Sequence, residues 1–235
     1  MRAILKRELK SYFSSPIGYV CVAVLLALFG FYFFQVMLMG SSSYVGSVYS
    51  TMFLWSMMII PILTMKSMSE DKRNKTDQAL LTAPVSVTSI VLGKFFAAFF
   101  VFGIAMIGSL LPVFIISFFA SNFGWGIVFG NLLGSLFYGA AMIAIGVFIS
   151  SLTESQIIAA IGTFIISIFL MVIDQVSGST GNAALSTVVG WISFNSRYQP
   201  FTTGMFDISS VVFFFSVAAI FIFLAARKLE SKRWS

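Results

Sequence analysis

Residues 17–39 read IGYVCVAVLLALFGFYFFQVMLM, 23 positions without one charged side chain, and a basic segment stands just before them. An α-helix rises about 1.5 Å per residue and needs roughly 20 apolar residues to cross about 30 Å of hydrocarbon, so Ile17 to Met39 is long enough to span a bilayer. The apolar run of a secretory leader is about 7 to 15 residues, so this one reads as a retained first helix rather than a cleaved signal.

Five further blocks lie downstream. The second, Val45 to Met65, is polar at its start with Ser47, Ser50 and Thr51 and carries Pro61 near its end. The third, Leu92 to Phe119, is long for one crossing; Gly103, Gly108 and Pro112 give it places to kink, so one tilted or broken helix is expected. The fourth, Ile127 to Ser150, and the fifth, Gln156 to Ile173, are separated only by Ser151 to Ser155, which reads as a tight helical hairpin. The sixth runs from Ile208 to Ala226. Composition agrees: of 235 residues 59% are hydrophobic and only 9% charged, against about 25% charged in soluble domains. The expected fold is an all-α integral membrane protein with six transmembrane helices in a single domain, residues 1–235.

Charge placement orients it. Lys and Arg near span ends stay on the cytoplasmic side. Arg2, Lys6, Arg7 and Lys10 precede the first span; Lys66, Lys72, Arg73, Lys75 and Lys94 flank the second-to-third connection; Arg227, Lys228, Lys232 and Arg233 follow the last. Those are thirteen of the 14 basic residues, and only Arg197 falls on the opposite side of a six-span chain with both termini cytoplasmic. A five- or seven-span chain breaks that partition. The net charge of +6 therefore reports topology and anionic headgroups, and no basic aromatic platform for nucleic acid is present.

Several chemistries find no support. The chain has no His and a single cysteine, Cys21, inside the first span, and no carboxylate cluster suggests a metal site. Gly93-Lys94 is followed by Phe95, and Thr88 stands where a phosphate-binding loop needs glycine. No charge lies between Phe95 and Thr153, so a carrier's buried ion site has little to build on; Asp174, at the outer end of the fifth span, reads as a solvated boundary residue.

The connection 65–94, MKSMSEDKRNKTDQALLTAPVSVTSIVLGK, has two halves. Glu70 to Gln78 is polar, with Asp71 and Lys75 at the helical i,i+4 spacing, and Ala79, Leu80 and Leu81 form an apolar patch that Pro84 ends. By physics alone that patch suits the membrane surface and a groove on a cytoplasmic partner equally.

The same stretch resembles the loop between the second and third helices of type 2 ABC exporter permeases. Glu70-Asp71-Lys72 matches that loop's acidic-basic start, Leu80-Leu81-Thr82-Ala83-Pro84-Val85-Ser86 its Leu-Leu-Thr-x-Pro-x-Ser core, and Leu92-Gly93-Lys94 its Leu-Gly-Lys entry to the next helix. Where many members carry Gly-Thr, an apolar residue and Glu, this chain has Lys75-Thr76-Asp77-Gln78. Lys6 to Pro16 resembles the family's interfacial helix (residues 1–16), with Leu5, Leu9, Tyr12 and Phe13 on one face, and Gly146 to Gln156 resembles its Gly-x-x-x-Ser-Ser-Leu turn. Phe194 to Gly204, Asp207-Ile208 and Lys228 to Trp234 look most like the gliding-motility branch.

The resemblance implies that 66–92 is a cytoplasmic coupling loop whose helix rests on an ATPase through Glu70, Asp71, Leu80, Leu81, Thr82 and Pro84. It also implies that the outer connection 174–207 forms short re-entrant helices before the last span. Trp191, Phe194, Arg197, Tyr198 and Phe201 there are candidates for an outer gate or, alternatively, an interfacial aromatic belt. Arg197 suits a lipid headgroup or an anionic substrate group. Gly126, Gly130 and Gly134 form overlapping G-x-x-x-G patterns suited to helix packing. The function implied is the permease subunit of an ATP-driven exporter in the bacterial cytoplasmic membrane. It would bind no cofactor itself, the ATP and Mg sitting on two copies of a separate ATPase. Its other implied partners are a second permease subunit and a subunit with a large outer domain. The alternatives are a membrane anchor or lever of an envelope assembly and a gradient-driven secondary carrier.

Overall fold

The computed structural model describes residues 1–39, 45–77, 80, 85–118, 124–179 and 189–231, and every long element among them is an α-helix. In chain order these are α1 (Arg2–Ser14), α2 (Pro16–Met39), α3 (Val45–Thr64), α4 (Lys66–Arg73), α5 (Val87–Gly108), α6 (Leu110–Ser117), α7 (Trp125–Leu152), α8 (Gln156–Ser179), α9 (Phe194–Thr202) and α10 (Ile208–Ser231). Six stretches are long and apolar enough to cross a membrane: Pro16–Met37, Val45–Arg73, Val87–Ser117, Trp125–Leu152, Gln156–Ile173 and Ile208–Ser231. They coincide with the six blocks of the sequence.

Local chemistry explains the boundaries. Ser15 is extended, as the residue before a proline prefers, and Pro16 then opens α2 at the one helical position that needs no N–H. The α1–α2 corner is tight: a Cβ on Gly18 would lie 2.5 Å from the Tyr12 carbonyl oxygen. The long third block does break, at Ser109 between α5 and α6, three residues before Pro112, whose ring crowds the carbonyl four residues back. The Ser109 hydroxyl lies 3.0 Å from the Tyr49 hydroxyl on α3, so the break is fastened to a neighbour. Only Thr153–Ser155 separate α7 from α8, as the hairpin reading expects. Ser86 caps α5 through the Ser89 amide, and Asp207 caps α10 through the amides of Ser209 and Ser210.

Helices α3 and α7 form the centre. α7 packs against α10, α3, α5, α9 and α8, whereas α8 and α10 leave most of their surface facing outward. In α2 the buried stripe Cys21, Leu25, Phe29 and Phe33 repeats every four residues, while Tyr19, Val20, Val24, Phe31 and Phe34 are exposed, as a lipid-facing side should be. Small residues let α7 approach its neighbours: a Cβ on Gly146 would stand 2.7 Å from the Thr64 Cβ.

One register differs from expectation. The most buried side of α1 is Ile4, Glu8 and Tyr12, packed toward α5 and α2, with Leu5, Leu9 and Phe13 partly buried beside it. The reason is ionic: Glu8 has a buried partner on α5, and satisfying that charge turns the helix.

Candidate functional site

The segments that carry the basic residues gather at one end of the bundle. Lys94, about two turns into α5, is only 2% exposed, and its ammonium lies 3.1 Å from the Glu8 carboxylate on α1 and 2.5 Å from Asp71 on α4. It also donates to the Ser67 carbonyl at 2.5 Å. Arg7 completes the cluster, 2.6 Å from Glu8 and 3.3 Å from Asp71. Burial works against the Arg7 charge, but the hydrogen bond to Glu8 and the fields of Glu8 and Asp71 outweigh it and hold the guanidinium above its ordinary value. Two cations thus alternate with two carboxylates across three helices, which is what a buried charge requires. Gly93 serves the same junction, because a Cβ there would lie 2.8 Å from the Ile4 side chain.

A second set of bonds ties α4 to α3 and α7. The Ser150 hydroxyl, at the end of α7, accepts from the amides of Met68 and Ser69 at 2.9 and 3.0 Å and donates to the Met65 carbonyl. These are first-turn amides of α4, which has no cap from its own chain neighbours, so α7 supplies the cap. Lys72 donates to the Ser151 carbonyl, and Lys66 reaches the Ser15 hydroxyl at 2.8 Å while lying 4.5 Å over the Tyr12 ring. Among the described residues the short helix α4 is therefore fastened to α1, α5 and α7, with Glu70 and Asp71 partly exposed.

The turn after it is exposed. Arg73, Asn74, Lys75 and Thr76 are exposed, and Lys75 has φ +56, a left-handed conformation that L side chains pay about 1–2 kcal/mol to adopt. This is the position where the resembled loop carries glycine, which adopts that conformation freely.

At the opposite end, α9 inserts between the helices. Phe194, Tyr198 and Phe201 are buried on it, Ser193 caps it, and Gly204 at φ +78 turns the chain out toward α10. The Tyr198 hydroxyl lies 3.0 Å from Ser135 and 3.4 Å from Asn131, both buried on α7, and its ring stacks on Phe53 with centroids 4.9 Å apart. Tyr138 continues the ladder, 4.7 Å from Phe53 and hydrogen-bonded to Ser56. On α7, a Cβ at Gly130 would meet the Phe201 carbonyl at 2.9 Å and one at Gly134 the Phe201 ring at 2.7 Å. Gly126 faces open space. The result is an aromatic plug, α9 seated against α3 and α7 at this end of the described bundle.

A family model described as an ABC-2 family transporter protein matches residues 19–227. The chain belongs to the ABC-2 transporter family. It is a multi-pass membrane protein and a permease subunit of an ABC transporter. Among curated proteins no match was found.

For this ABC-2 permease the residues singled out in the sequence divide. Asp71 and Glu70 sit on α4, Asp71 inside the ionic cluster. Leu80 is half-buried in its own chain, in a recess lined by Met68, Ile90 and Leu229, so it points inward. Leu81, Thr82 and Pro84 lie outside the described residues. Of the five outer candidates, Phe194, Tyr198 and Phe201 come together in the plug, whereas Trp191 is 65% exposed beside it. Arg197 bonds Ser209 at 2.8 Å and lies 5.6 Å over the Phe213 ring. Asp207, within its field and bonded to Ser210 and Ser209, is held below the usual carboxylate range, mainly by the Ser210 hydroxyl. The Asp174 side chain is outside the described residues. Sequence reading missed Glu8, Lys94 and Ser150 as one unit, and Asn131, Ser135 and Tyr138 as partners of α9; an acidic residue on an otherwise basic interfacial helix is the one signal that pointed to the first group.

Proposed function

We propose that this permease is driven by a separate cytoplasmic ATPase that docks on the exposed turn Arg73–Thr76, and that it exports its substrate across the bacterial cytoplasmic membrane. The observation that carries this reading is the fastening of α4 to α1, α5 and α7 directly beside that exposed turn. A push on the turn is passed into α1 and α5 through Lys94, and into α7 through Ser150. ATP-bound and ATP-free partners then select different bundle conformations, which is what coupling requires. ATP and Mg sit on the partner, in two copies, and a second permease subunit, identical or related, completes the path.

At the outer end, displacement of α9 from Gly130 and Gly134 is the opening step. The plug is held by aromatic contacts and a few hydroxyl bonds, individually about 0.6–2 kcal/mol in membranes, so a conformational change of α7 can release it. The gliding-motility likeness of residues 194–204 and 228–234 supports a further partner with a large outer domain. An affinity-tagged chain purified in mild detergent from its native membranes is expected to bring down the ATPase, and Arg73→Glu with Lys75→Glu to release it. Retention of the ATPase by the doubly reversed chain refutes the docking turn.

A further inference from the structure

An apolar groove of about 640 Å³ runs along the outside of the bundle where α5, α7 and α10 meet. Its lining is hydrophobic throughout except for Thr88 at one end. Buried Phe95 and Ala218 line its inner side, Ala219 is exposed in it, and Phe215 and Phe223, both more than half exposed, stand along its edge.

Two measures of its shape say what fits. Along α5 it runs from Thr88 to Phe99 and along α10 from Phe215 to Ala226, eleven residue steps each, or about 17 Å at the helical rise. That is close to half of the roughly 30 Å hydrocarbon core, the length of one leaflet. It starts at the basic end of the bundle, where α5 begins and α10 ends. There Arg227 and Lys228 are exposed, and the Arg227 guanidinium stands 5.1 Å over the Phe223 ring at its edge. Arg227 is paired with Glu230 at 3.1 Å, and Lys228 adds a further positive charge beside it.

We infer that this groove holds the acyl chain of one anionic phospholipid of the cytoplasmic leaflet, with its phosphate group at Arg227 and Lys228. A groove one leaflet long with cations at its mouth matches a single lipid in length, polarity and charge. A second copy of this chain fits less well. Helix pairing in membranes places small residues where backbones can meet, and here the exposed rings of Phe215 and Phe223 flank the groove, which covers only half the membrane.

Native mass spectrometry of the purified full chain, with phosphatidylglycerol or phosphatidylcholine added, tests the site. One phosphatidylglycerol per chain is expected to survive activation that strips the remaining lipid. Ala219→Trp, which fills the groove from an exposed position, should lower that retention at least tenfold. Arg227→Gln with Lys228→Gln should keep a bound lipid but cut the preference for phosphatidylglycerol by about fivefold per charge removed. Unchanged retention in Ala219→Trp overturns the inference, as does loss of a dimer without loss of lipid, which assigns the groove to a subunit interface. Should Ala219→Trp fail to fold, the two exposed Gln substitutions decide alone, and an unaltered headgroup preference overturns it.

Discussion

Replacing Lys94 with Met removes the cation at the junction of α1, α4 and α5 while keeping most of the side-chain volume. Lys94 is 2% exposed and contacts two carboxylates and a carbonyl, so the change leaves Glu8 and Asp71 buried or half-buried with one cation fewer. Breaking a buried pair from one side costs about 3–5 kcal/mol. Arg7 still reaches both carboxylates, at 2.6 and 3.3 Å, and Asp71 retains some solvent, so about 2–3 kcal/mol is the expected loss here. Reversible unfolding of the purified chain in mixed micelles measures it. Adding Glu8→Gln to Lys94→Met should recover part of the loss, because the second change removes the stranded charge, and the cycle should give a coupling of about 1–2 kcal/mol. A Lys94→Met chain within about 0.5 kcal/mol of the parent, with no coupling to Glu8, refutes the argument that this cluster binds α1 and α4 to α5.

Other outcomes follow from the same geometry. Ser150→Ala removes the acceptor of two α4 amides and should lower stability by about 1–2 kcal/mol, visible in the same unfolding assay. Gly146→Leu drives a side chain into Thr64 and should cost about 1–3 kcal/mol, part of which Thr64→Ala restores. Lys75→Gly relieves the left-handed residue after α4 and should leave stability equal or slightly higher, by up to about 1 kcal/mol, whereas Lys75→Val should lower it. The folded pKa of Asp207 lies below its unfolded value, so its cap on α10 contributes fully above about pH 4 and fades as pH falls through the folded pKa. The difference in Tm between the parent and Asp207→Ala should accordingly be larger at pH 7 than at pH 2.5.

The spans were legible because each is a long, mainly apolar block free of charged residues except for Lys94, and the hairpin because five residues, four of them polar, cannot hold a domain. The break at Ser109 was legible only as a region: Gly103, Gly108 and Pro112 each allow it, and the Tyr49 hydroxyl on another helix decides it. The ionic cluster was not legible. Lys94 reads as one more positive-inside residue, and its partner Glu8 lies 86 positions away on a helix whose apolar residues suggest a different buried face. For Leu80, periodicity says that a leucine needs an apolar partner without naming it, and within its own chain it lines a recess with Met68, Ile90 and Leu229. In the outer connection, composition announced aromatic residues without separating Trp191, exposed, from Phe194, Tyr198 and Phe201, buried; Ser193 capping α9 and Gly130 and Gly134 receiving Phe201 make that choice.

The central claim is that energy enters through the turn after α4. A photo-cross-linking amino acid placed at Asn74 in native membranes, with Trp191 at the other end as control, tests it most directly. The account predicts an adduct with a cytoplasmic ATPase subunit from position 74, stronger when ATP hydrolysis is blocked, and none from position 191. A well-inserted chain that gives no ATPase adduct from position 74, or gives one from position 191, contradicts it.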